Sequence, residues 1–186
     1  MSQNNALHRI SKALGPLKIL IFSEDGIDRI KKVRINPFAF LILAAIIQSI
    51  PQPAETSAFL IHFATNIAIV AIMLTVLISI AFVVSRMLRS SIKFTDYVRR
   101  MGLSVFILSL LSIMIAFIVI NFGILIGYPE ITFKLVQGSI ITYYVFVVFG
   151  WCAERFAEFD DIKGVIVGVV AIALYYTLHV AVSMLP

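Results

Sequence analysis

Five long stretches of this chain contain no Asp, Glu, Lys or Arg; every charged residue lies ahead of them or in the short segments between. They run over residues 35–50, 57–84, 101–127, 135–153 and 164–185. About 20 apolar residues in a helix cross a hydrocarbon layer of ~30 Å. The last four stretches meet that length. The first is shorter, opens at Pro37 and closes against Pro51 and Pro53. Only 13% of the chain is charged and its mean hydropathy is +1.03. Soluble domains carry about 25% charged residues, so a chain this apolar cannot cover its own surface with water-compatible groups.

Charge placement supplies a direction. Seven Lys and Arg precede the first stretch: Arg9, Lys12, Lys18, Arg29, Lys31, Lys32 and Arg34. None lies in the next segment. Five follow the second stretch: Arg86, Arg89, Lys93, Arg99 and Arg100. Lys134 stands alone after the third, and Arg155 and Lys163 separate the last two. Fourteen of the 15 basic residues therefore fall on alternate segments, which the positive-inside rule assigns to the cytoplasm. That alternation requires the first stretch to cross. The expectation is an all-α, polytopic membrane helix bundle of about five transmembrane helices, N-terminus cytoplasmic and C-terminus outside, of bacterial inner-membrane type.

Residues 1–34 form a basic, amphipathic leader and residues 35–186 the membrane domain. Leu7, Ile10, Leu14, Leu17 and Ile21 follow one helical face, which Gly15-Pro16 should kink or split. Ser23 is placed to cap a second short helix carrying Ile27 and Ile30, with Arg29, Lys31 and Lys32 toward headgroups. This leader reads as a platform for a partner or as an anchor for the first span. It lacks the cleavage pattern of a secretory signal. The connector Ser85–Arg100 is also basic, and its Phe94 and Tyr97 are expected at headgroup depth. The net charge of +5 points to the bilayer and its anionic headgroups as partner rather than to nucleic acid.

The polar residues inside the stretches gather toward the outer leaflet: Gln48, His62, Asn66, Asn121, Gln137 and His179. They either line an outer-facing cavity or join helices by hydrogen bonds, worth about 0.6–2 kcal/mol each in a membrane. Asn66, Asn121 and His179 are expected to face the bundle interior, because an unpaired amide in hydrocarbon costs several kcal/mol. On the other side, Glu154, Glu158, Asp160 and Asp161 crowd one loop. These acids could hold a divalent cation or pair with connector arginines. The expected ionic cluster is Glu154 and Glu158 with Arg86, Arg89, Arg99 and Arg100.

No ionisable group of the kind that pumps and voltage sensors need lies within a stretch. Ser104, Ser109 and Ser112 have no His–carboxylate partner, so no nucleophilic triad is assembled, and the lone Cys152 supplies no disulfide or cysteine-rich metal site. No catalytic residue, cofactor or metal is expected. Gly123-xxx-Gly127 and Gly164-xxx-Gly168 permit close helix approach, most simply within the bundle.

Several features resemble one family. A surface segment, Ile21-Phe-Ser-Glu-Asp-Gly-Ile-Asp-Arg-Ile, precedes a proline-opened span at Asn36-Pro37-Phe38. The connector Ser91-Ile-Lys-Phe-Thr-Asp-Tyr-Val-Arg-Arg-Met-Gly102 carries a basic F-x-x-Y run into the third span, and Tyr143-Tyr144 lies in the fourth. The layout is similar to the Yip family of five-span proteins, in which eukaryotic members interact with Rab-type GTPases, and is most similar to its bacterial type. The long acidic, proline-rich N-terminal region of eukaryotic members has no counterpart here. The resemblance implies a non-enzymatic interaction or organising factor, or an accessory subunit with membrane-protein partners. The alternative reading is a small transporter or channel component using the outer polar belt.

Overall fold

Proline at the head of the leader sets its local geometry. Gly15-Pro16 opens a 3₁₀ helix, Gly15–Ile21, with proline in the first turn where its missing N–H costs nothing. The computed structural model describes residues 14–49, 59–127, 140–159 and 162–183, and among these the chain is all-α with no strand. Six α-helices follow the 3₁₀ segment: α1 (Glu24–Lys31), α2 (Ala39–Gln48), α3 (Phe59–Met87), α4 (Phe94–Leu125), α5 (Ile140–Phe156) and α6 (Ile162–Ser183).

Side-chain contacts fix the direction of each helix. A Cβ on Gly102 would lie 3.2 Å from Leu41 Cγ, and Gln48 donates from Nε2 to Ser109 Oγ at 2.8 Å. Hence α2 and α4 run parallel. Phe82, late in α3, meets the rings of Phe94 and Tyr97 at the start of α4, at 5.1 and 5.8 Å. The end of α5 reaches the same level, and α6 departs from it. The order around the bundle is α2, α4, α5, α6, α3 and back to α2, with α3 and α4 touching only lightly. Small buried Ala44 and Ala45 let α2 wedge between those two long helices.

Among the described residues two helices, α3 and α4, are long and apolar enough to cross a membrane. At ten residues, α2 spans about 15 Å, half of a ~30 Å hydrocarbon core. The expected span at 35–50 is therefore represented by a shorter helix, and residues 50–58 lie outside the described part. At its other end α4 starts at Phe94, earlier than the expected 101. Lys93 is extended at its N-cap, Asp96 sits in the positive first turn and pairs with Arg99, and no breaker intervenes.

Three further expectations are corrected. The buried apolar side chain of the 3₁₀ segment is Ile19, whereas Leu14, Leu17 and Ile21 are exposed. In a 3₁₀ helix side chains repeat every three residues, so the face inferred from α-helical spacing is not the one that packs. Ile27 and Ile30 of α1 are buried, so protein covers the apolar face that was expected on a membrane surface. The close crossing that seats Ile19 requires Gly26: a Cβ there would lie 2.5 Å from Ile19 N. Tyr97, expected among headgroups, is 0% exposed, because α4 already holds it against α3 and α5.

The α5–α6 pair is the most extensive in the bundle. Gly164 and Gly168 of the expected small-residue motif pack inside the chain, against Glu154 and Gly150 of α5. A Cβ on Gly150 would meet Ile172 Cγ1 at 2.5 Å and Gly168 O at 2.8 Å. Part of that obstruction is backbone and cannot rotate away. Gly150→Ala is expected to cost about 1–3 kcal/mol through forced separation of α5 and α6. A thermal-melting midpoint in mild detergent equal to that of the parent chain would refute this packing.

Candidate functional site

Charged and hydroxyl side chains converge where α3 ends, α4 begins, α5 ends and the leader docks. Helix ends leave carbonyls unpaired, and three of these ends are closed with a residue in the left-handed region. These are Phe22 (φ 53°) after the 3₁₀ helix, Arg89 (φ 73°) after α3 and Glu158 (φ 62°) after α5. After α3, Arg89 N donates to Arg86 O at 3.0 Å and Ser90 N to Ser85 O at 2.9 Å, the paired bonds of a Schellman turn. Glycine is the usual occupant of that position, and other residues incur about 1–2 kcal/mol.

The turn after α3 also closes the end of α5. Ser90 Oγ donates to Ala157 O at 2.7 Å and accepts from Ile92 N at 3.3 Å. Tyr97 Oη donates to Ala153 O at 3.4 Å. Ser85, Ser90 and Tyr97 are all buried. Sequence reasoning missed this hydroxyl cluster, because the connector's basic character pointed only outward. The one available signal was the pairing of Ser85 and Ser90 on either side of a helix end.

Of the expected ionic residues, the structure brings Arg100 and Glu158 together, Nη1 to Oε1 at 2.9 Å. Arg99 instead pairs with Asp96 on its own helix. Arg86 donates from Nη1 to Ser90 O at 2.7 Å, and Arg89 is exposed. Glu154 packs its side chain under Gly164. A pair not foreseen, Arg155 Nε to Glu24 Oε1 at 3.0 Å, ties α5 to α1. Within the leader Asp25 is held by Lys18 and lies 3.5 Å from Arg29. Phe22 completes the docking, edge-on to Trp151 at 5.4 Å and Tyr144 at 5.9 Å.

The polar belt expected toward the outer leaflet is less coherent. Gln48 bridges to Ser109, an interhelical bond, while Ser109 donates back to Val105 O. Asn66 and Asn121 are exposed rather than turned inward. Asn121 lies one turn from the end of α4 and donates from Nδ2 to Phe117 O at 2.7 Å, so its own backbone supplies the partner that was expected from the interior. The side chains of His62, Gln137 and His179 lie outside the described residues. Asp160 and Asp161 do as well. Among the described residues no group of three His, Cys, Asp or Glu is arranged to hold a metal ion. No family model, curated protein or solved structure matches the chain.

Two outcomes test this end of the bundle. Glu158→Ala should lower the melting midpoint, because it keeps the left-handed backbone and loses the pair. Glu158→Gly should be neutral or stabilising, since relief of about 1–2 kcal/mol offsets a pair worth about 0–1 kcal/mol. Equal loss in both variants would contradict that assignment. The second test is acidity. The hydrogen bond from Lys18, aided by the Lys18 and Arg29 charges, holds the Asp25 carboxyl below its ordinary 3.8 against a smaller opposing effect of desolvation. A depressed carboxylate stabilises the fold above its unfolded value and loses that contribution as pH falls through the folded value. The packing of the 3₁₀ segment on α1, which seats Phe22 against Trp151, should therefore persist from neutral pH to about pH 5 and loosen below about pH 4. Trp151 is the sole tryptophan, so its emission should report the loosening. Asp25→Asn should loosen that packing at neutral pH and flatten the acid dependence; an acid dependence unchanged by the substitution would exclude Asp25 as its source.

Proposed function

We propose that the chain is a five-span integral membrane protein, N-terminus cytoplasmic and C-terminus outside. It acts without chemistry of its own, as a Yip-like organising factor or an accessory subunit of an inner-membrane complex. The observation that carries the membrane reading is the exposure of the apolar helices. The most apolar 18-residue stretches of α3 and α4 are only 22% and 35% buried. A soluble protein's core helix of that composition would be covered on all sides. Instead Ile72, Val76, Ile80 and Val83 form an outward row on α3, and Phe117, Ile118, Phe122 and Leu125 stand out on α4. Water would not tolerate so much contiguous apolar surface on a monomer; lipid requires it.

Connectivity supports five crossings. The leader, the start of α2, the end of α3, the start of α4 and the end of α5 share the charged end. Phe59, opening α3, lies about 34 Å along that helix from Phe82, so residues 39–59 carry the chain from one end to the other. Exposed Leu14, Leu17, Ile21 and Phe22 beside this end suit shallow insertion among headgroups. The interaction reading rests on the docked leader and the exposed basic connector. For transport along the outer belt, the described residues provide no lining.

Alkaline carbonate should leave the chain in the membrane pellet. A reporter at the C-terminus should be active only outside the cytoplasm, and one inserted after Arg89 only inside. Release by carbonate would overturn the membrane reading; both reporters on one side would overturn the topology.

A further inference from the structure

We infer that the turn after α3 is a binding site for the phosphate of an anionic phospholipid, with Arg89 as its principal contact and Arg86 and Lys93 beside it. This rests on the membrane reading above and names the ligand for its charged end. Among the described residues three non-glycine residues occupy left-handed positions, and a side chain kept at such a position is retained at the expense of backbone preference. Phe22 is answered by Trp151 and Tyr144, and Glu158 by Arg100. Among the described residues Arg89 has no carboxylate or ring partner. Its side chain is exposed, and so are Arg86 and Lys93.

Among the described residues, the acids near this end are already occupied. Asp25, Asp28, Asp96, Glu24 and Glu158 each hold a cation within the chain, and Glu154 lies under Gly164. Three cations within eight residues are thus left facing outward at the end of an apolar helix. The guanidinium of Arg86 is steadied by the Ser90 carbonyl, and Ser90 is fixed to α5. A planar guanidinium donates two parallel N–H bonds to phosphate oxygens. At the end of a spanning helix, the phosphate within reach is that of a lipid headgroup.

The full chain in mild detergent, titrated with phosphatidylglycerol in mixed micelles and followed by native mass spectrometry, tests the site. The parent chain should bind phosphatidylglycerol in preference to phosphatidylcholine. Arg89→Gly should weaken that binding about fivefold, as expected for one cation at a membrane surface, with a melting midpoint unchanged or raised. Arg89→Lys should recover part of the loss. Unchanged phosphatidylglycerol binding by Arg89→Gly, or equal binding of phosphatidylcholine, overturns the inference. Competition by millimolar inorganic phosphate at the same site overturns its assignment to lipid. A chain retained by carbonate that fails these tests refutes this site alone; one released by carbonate refutes the membrane reading beneath it.

Discussion

The carbonyl end of α5 is the joint on which this bundle depends. The last turn of a helix offers carbonyls with no partner of their own, and burying them unmade costs about 1–3 kcal/mol each. Ser90 supplies such a donor to Ala157 O from the α3–α4 turn, and Tyr97 in the first turn of α4 adds a second bond to Ala153 O, which already accepts from Ala157 N. Those donors reach α5 only if α3 ends at Met87 and α4 begins at Phe94. One requirement, that buried backbone oxygens be paired, therefore sets the relative height of three helices. The Arg100–Glu158 pair lies against the same joint.

Away from this joint the helices have less to hold them. On the membrane reading, lipid removes most of the hydrophobic driving force between apolar helices, leaving close packing and hydrogen bonds. Gly150 and Gly168 bring α5 and α6 into backbone contact, and Ala44 and Ala45 do a related service for α2. The Gln48–Ser109 bond adds one polar tie farther up α4. Beyond it the exterior of α4 is apolar and open, with Leu125 81% exposed. The molecule is thus ordered by polar contacts at one end and by small residues along its length.

The leader has two unlike sides. Its inner side is spent on the bundle through Ile19, Ile27, Ile30, Phe22 and the Glu24–Arg155 pair. Its outer side presents Leu14, Leu17 and Ile21, and its Lys31 and Lys32 are exposed as well. Apolar side chains and cations on one face are the combination that favours an anionic membrane surface. A segment whose own fold is held partly by the exposed Lys18–Asp25 and Arg29–Asp25 contacts is also the part that acid should reach first.

The sequence by itself determined the all-α character, the approximate places of the long helices and the gathering of charge between them, because apolar run length and charge exclusion are properties of composition along the chain. It also placed Glu158 and Arg100 within reach of each other, since both flank apolar helices on one side. It could not say that α2 would wedge between α3 and α4, that Tyr97 would be buried, or that Ile19 and not Leu17 would face inward. Those outcomes depend on which helix faces meet and at what height, and a face is chosen by its neighbours. Two residues of the expected belt do not turn inward for the same reason: Asn121 satisfies its amide on its own helix, and Asn66 lies on a side of α3 that no described neighbour covers. Only the tertiary structure decided which acids were already spent on the chain's own cations, and so left Arg89 facing outward.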